Sequence, residues 1–180
     1  MKIPALMNLA KKSKAIKLYE EDKKQWISFG GAAYAINGLP KLDEDSLCII
    51  AGIPEDKRGT YRIDIDPDFL PIFDNADYGL MLEIKSVLLV HSGVTMTALV
   101  DEAGDVYLID TKYLKPLSDY DADDALSFTL FDKESDPTIL VRAGLLNIAV
   151  IMPVRPSSAM LSELAYISQK LGKGIEDDKD

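Results

Sequence analysis

Residues able to do covalent or proton-transfer chemistry are sparse in this chain, which holds one histidine and one cysteine in 180 residues. The histidine, His91, ends the apolar run Leu88-Leu89-Val90 and precedes Ser92-Gly93. A general base needs a positioned partner for the proton it takes, whereas a strand-end histidine beside a turn ordinarily bonds the loop, and that role is expected here. Cys48 lies in the apolar run from Leu47 to Ala51 and reads as a buried thiol packed like a small hydrophobe. Asp64, Asp66 and Asp68 alternate with Ile65 and Pro67. In extended backbone they share one side and could offer oxygen ligands to Mg²⁺ or Ca²⁺. They lack the glycine and bidentate glutamate of a calcium loop, and a loop of Asp and Pro explains the same letters. Gly30-Gly31 has none of the flanking pattern of a phosphate cradle. No catalytic residue, no metal site and no cofactor is therefore expected, and the chemistry these residues support is binding rather than catalysis.

The elements that would position them follow from hydrophobic period and turn residues. Residues 4–12 predict a short helix with Pro4 in its first turn and Leu6, Met7, Leu9 and Ala10 clustered on one side. Ile16 and Leu18 alternating with Lys17, then Trp26 to Phe29, predict a hairpin closed by Gly30-Gly31. Asp43 is placed to cap a helix through Ile50 that stops at Gly52. Residues 60–65 read as a strand, followed by the long connection DPDFLPIFDNADYG. In the second half, strands over 80–91 and 94–100 meet at Ser92-Gly93, and a third covers 106–109. A helical stretch over 111–120 follows Asp110 and is shortened or distorted by Pro116. Strands over 126–131, 138–142 and 148–154 come next, and Met160, Leu164, Ile167 and Leu171 recur at helical spacing over 157–171. Laying 34–61 over 113–140, a shift of 79, aligns Tyr34 with Tyr113 and Leu47 with Leu126 as a weak internal repeat.

Composition sets the class around these elements. Apolar residues at 47% and charged residues at 28% are the mixture of a globular α+β chain able to bury its own core. One cysteine permits no internal disulfide, and the start MKIPALMNLAKK has too short an apolar run for a secretory signal. No run approaches the ~20 apolar residues that span a bilayer, so a cytoplasmic protein with no membrane contact is expected. The net charge of −10 is uneven: residues 1–24 carry +4 and the remainder −14. A polyanion would have to meet a local basic face.

The segment from Val106 to Arg155 reads VYLIDTKYLKPL, then LSFTLFDKESDPTILVRAG, then NIAVIMPVR. It resembles the last part of a DNA sliding-clamp domain of the bacterial polymerase III beta-subunit kind. The features that carry the likeness are Lys112-Tyr113-Leu114, Pro137, and the closing Met152-Pro153-Val154-Arg155. The resemblance implies a single clamp-like α+β domain over 1–156, with halves of about 1–75 and 76–156, each strand-rich with a short helix. A C-terminal helix and acidic tail fill 157–180. It also implies that Lys112 and Lys115 face DNA and that Met152, Pro153, Val154 and Arg155 line a groove for a short apolar peptide. Asp43, Glu44 and Asp45, on the helix taken as the first-half counterpart, would have the wrong sign for DNA.

Two functions follow. One is a clamp-like module, of phage or mobile-element origin, that associates with DNA or replication-protein peptides and reaches around DNA only as a homo-oligomer or with a partner chain. The other is a structural or assembly protein that self-associates without binding DNA.

Overall fold

Pro4 in the first turn and apolar residues at 6, 7 and 10 form α1 (Ile3–Ser13), which buries Leu6, Met7 and Ala10. The computed structural model describes residues 1–21, 24–66, 79–120, 126–131, 137–154, 160 and 162. Lys14 ends α1 in the left-handed region, φ 58°, and turns the chain directly into β1 (Ala15–Glu21). There Ile16 and Leu18 are buried and Lys17 is exposed, as the period of two predicts. β2 (Lys24–Phe29) and β3 (Ala32–Ile36) follow. In α2 (Glu44–Ile50), the Asp43 carboxylate accepts from the Ser46 N–H while the Asp43 N–H donates to Ser46 Oγ, both at 2.8 Å. That reciprocal cap, led by the Ser46 hydroxyl, holds the Asp43 carboxyl below its ordinary range. A 3-10 helix, η1 (Glu55–Thr60), precedes β4 (Arg62–Asp66).

The second half opens with β5 (Leu80–His91) and β6 (Val94–Val100). Ser92 at φ 50° and Gly93 at φ 77° make the two-residue hairpin that their identities predict. After β7 (Val106–Asp110) comes η2 (Thr111–Leu117), where Asp110 accepts from the Lys112 N–H. Pro116 has no N–H to extend an α-helical ladder, so the segment is a 3-10 helix. β8 (Leu126–Phe131), β9 (Thr138–Ala143) and β10 (Leu146–Ile151) complete the described elements. Met160 and Ser162 are helical, and the rest of the expected 157–171 helix and the acidic tail lie outside the described residues, as does the connection over 67–78.

The fold is mixed α+β, with ten described strands in one sheet of order β4-β1-β2-β3-β10-β9-β8-β5-β6-β7. Only β1 and β4 run parallel; the other neighbours are antiparallel. β3 and β10 meet at its middle, and on either side the order mirrors itself: α1-β1-β2-β3 against η2-β8-β9-β10. The repeat at a shift of 79 does not relate these parts, because β2 and β9 begin at residues 24 and 138. By strand order the counterpart of η2 is α1, whose last turn is basic, and not the acidic-capped α2. β3 has no sequence signature, since Ala-Ala-Tyr-Ala-Ile is largely buried on both faces and therefore does not alternate.

β5 changes partners along its length, pairing β8 through residues 80–82 and β6 through 83–91, with a register shift between Ile84 and Leu88. Gly79 permits its close start, because a Cβ there would stand 2.2 Å from Thr129 Cγ2. Beyond β10, the Met152 N–H donates to Gly31 O and the Val154 N–H to Leu108 O, which ties the β7 edge back to the middle of the sheet. The main core runs through both halves, from Leu6, Ile16 and Leu47 to Leu99, Ile109 and Ile139. A small second cluster of Trp26, Ala35, Leu140 and Val150 covers the opposite face.

Two tyrosines fasten the halves. Tyr34 of β3, fully buried, donates from its hydroxyl to the Tyr113 carbonyl at 2.8 Å. Tyr113 Oη in turn accepts from the Gly31 N–H at 3.1 Å. Burial pushes the Tyr34 phenol far above its ordinary range, so it remains a donor at every working pH. Gly30, at φ 58°, lies so close that a Cβ would stand 2.8 Å from Tyr113 Oη. Tyr34→Phe keeps the ring and removes this donor. It is expected to lower stability by about 1–3 kcal/mol in urea unfolding with an unchanged m-value; an unshifted midpoint would show that the lock contributes nothing.

Candidate functional site

The residues with reactive side chains do not converge. His91 ends β5 at the hairpin, half-buried, and Cys48 of α2 is fully enclosed in the main core. Burial pushes the Cys48 thiol up. Asp64 is bound to Arg62 by an ion pair of 2.9 Å, and Asp68 lies outside the described residues. Among the described residues no group of three or more candidate metal ligands forms.

Cations converge instead. α1 and η2 pack against each other, joined by the Lys2 N–H donating to Pro116 O at 2.8 Å and by a Lys2–Asp119 ion pair of 3.3 Å. Around the turn at Gly30, three grooves share lining residues. One is lined by Lys17, Arg62, Asp64, Phe29 and Gly30. The next shares Phe29 and Gly30 and adds Lys12, Lys112 and Tyr113. The third shares Lys112 and adds Asp110, Thr111 and Lys115 beside the β5–β6 hairpin. Together the three grooves carry five cations, namely Arg62, Lys17, Lys12, Lys112 and Lys115, against the two carboxylates Asp64 and Asp110, and the two that meet at Lys112 form a trough between α1 and η2.

Both carboxylates are already engaged. Asp110 holds Lys112 at 2.5 Å, and this bond keeps the ammonium above its ordinary range and therefore charged. The same ammonium stands 4.8 Å from the centre of the Tyr113 ring. Lys12, Lys17 and Lys115 are exposed and form no ion pair among the described residues. They are free to meet a charge from outside. Lys12, Lys112 and Lys115 thus line grooves on the α1–η2 side, spaced cations of the kind that hold an extended anion, whereas Lys17 stands with Arg62 and Asp64 on the opposite face of the sheet.

The structure places Lys112 and Lys115 in this trough, as the sequence reading places them on one helix. Lys12, Lys17 and Arg62 were missed as partners. For Lys12 and Lys17 the signal was the +4 charge of residues 1–24, and Arg62 had none; the sequence does not show that α1 lies beside η2. The four residues of the closing strand separate: Met152 is exposed, Pro153 and Val154 are half-buried, and Arg155 lies outside the described residues. Met152 and Pro153 follow the end of β10, which stops at Ile151 rather than running on to 154. Val154 packs into an apolar cluster with Met96, Ala98, Leu108 and Met160.

Comparison with protein-family models, with curated proteins and with solved structures returns no match to this chain. No described helix is long and apolar enough to cross a membrane.

Because Cys48 is enclosed, its reaction with a water-soluble disulfide reagent at pH 8 is expected to track the fraction unfolded across a urea series. A full stoichiometric burst in native buffer would place the thiol at the surface.

Proposed function

We propose that this chain is a non-enzymatic, clamp-like binding module that holds a nucleic-acid backbone along the α1–η2 trough and an apolar peptide at the end of the closing strand. One observation carries the reading: the two helices at mirrored positions of the sheet lie side by side and put Lys12, Lys112 and Lys115 on grooves that share lining residues, in a chain of net charge −10. A chain with this excess of negative charge gains nothing from long-range attraction to phosphate. Cations gathered on one face therefore need a local reason, and phosphate contact supplies one. The likeness of residues 106–155 to a sliding-clamp domain supports the same reading, since such domains turn their helices toward DNA.

A second reading is self-association without nucleic acid. It draws on β4, whose outer edge is unpaired among the described residues and carries Ile65 exposed. The two readings are compatible in a closed ring of single domains, and solution mass together with DNA binding separates them.

Fluorescence anisotropy of a labelled short duplex across a salt series is the test. With two free lysines, Lys12 and Lys115, meeting phosphate, log Kd is expected to change with log salt by a slope of roughly 2 in magnitude. Lys115→Gln should reduce that magnitude by about 1, and the double variant Lys12→Glu, Lys115→Glu should abolish binding. A slope indistinguishable from zero, or variants that bind as the parent does, would leave self-association as the function.

A further inference from the structure

On the face of β5 and β6 that carries η2, the chain leaves an apolar row uncovered. Ile84 stands opposite Leu99, Leu88 opposite Thr97 and Val90 opposite Thr95, so these six side chains share one face. It is the face η2 packs on, since Leu99 belongs to the main core and Thr97 Oγ1 lies 2.9 Å from Thr111 Oγ1. Yet Ile84, Leu88 and Val90 are 45%, 61% and 70% exposed. β8 accompanies β5 only through residues 80–82, and η2 lies over β6 and β7, so the hairpin carries these side chains past its neighbours. Between the hairpin and η2 runs the groove of Val94, Thr95, Thr111, Lys112 and Lys115, about 490 Å³ in volume. Asp110 engages Lys112 there, whereas Lys115 forms no ion pair among the described residues. The groove thus joins an aliphatic row to an uncompensated cation.

We propose that this corner docks an acidic amphipathic helix of a partner protein, with two apolar side chains over Leu88 and Val90 and a carboxylate against Lys115. Charge complementarity gives the partner its sign, and the apolar row gives it its second face. Leu88 and Val90 stand roughly 7 Å apart along the strand, close to the rise of about 6 Å between helix positions i and i+4. The face of a sheet offers no free backbone groups, so an extended peptide lying there would leave its own unsatisfied, while a helix satisfies its own. A flat bilayer cannot follow a groove between hairpin and helix. The site is separate from the end of the closing strand, because Val154 packs with Met96 and Leu108 on the opposite face. It shares Lys115 with the nucleic-acid trough, so the two ligands exclude one another at that end.

The probe is a fluorescein-labelled helical peptide with leucine at heptad positions a and d and glutamate at the positions flanking them, titrated into the full chain. The double variant Leu88→Thr, Val90→Thr changes exposed residues to one that suits a strand, and thermal melting checks its fold. It is expected to weaken peptide binding at least about tenfold and to leave duplex DNA binding as in the parent. Lys115→Gln should weaken the peptide roughly threefold at low salt. Peptide binding by a parent that ignores duplex DNA would remove the nucleic-acid reading alone and leave this proposal standing. The proposal is overturned if variants bind the peptide as the parent does, or if a control peptide with serine at every leucine binds equally well. It is also overturned if phosphatidylserine vesicles capture the parent and the peptide does not, or if the double variant lowers the solution mass, which would make the row an interface between copies.

Discussion

The antiparallel pairing of β3 with β10 is the contact on which the rest of the molecule depends. Ala32, Ala33 and Tyr34 stand opposite Ile151, Val150 and Ala149, and through them two helix-plus-three-strand units become one sheet with one core. Neither unit has enough apolar partner surface alone, because the residues that bury Tyr34 and Ile16 come from both. Small side chains at 32 and 33 let the two strands and the layers over them approach. The Tyr34–Tyr113–Gly31 bonds then fix η2 over the turn at Gly30. α1 and η2 lie side by side only because the strands behind them are paired at the centre.

That arrangement turns a charge imbalance in sequence into a path in space. At ordinary ionic strength, screening acts over about 10 Å, so a phosphate seated against Lys12 or Lys115 would feel those lysines more than the acidic remainder of the chain, and a distant phosphate would feel little of either. The trough therefore favours contact without favouring capture. Asp110 tempers it further by engaging Lys112, leaving two free ammonium groups rather than three.

Local chemistry was legible wherever one residue type decides one conformation. Ser92-Gly93 made its hairpin, Asp43 its cap, Gly52 its stop, and Pro116 its distorted helix. What failed had no local signal. β3 is hidden because a strand buried on both faces does not alternate. The repeat was placed at the wrong offset because chance identities outweighed the real correspondence, which lies in strand order and not in letters. Tyr34 and Tyr113, set over each other as equivalents, are instead partners in one hydrogen bond. The acidic turn at Asp43 to Asp45 was set against DNA, although α1 is the helix that stands in the mirrored place.

The sequence alone determined the class of protein: an α+β chain with alternating strands, turns at glycine, few reactive side chains, and positive charge gathered near its start. These properties are set by each residue's own backbone preferences and charge, which do not depend on distant neighbours. Tertiary structure alone decided which cations share a path, which of them remain unpaired, and that Val154 is covered by Met160. The first two depend on α1 and η2, about a hundred positions apart, being packed together, and the third on Val154 bridging to Leu108; the strand order of the sheet creates both.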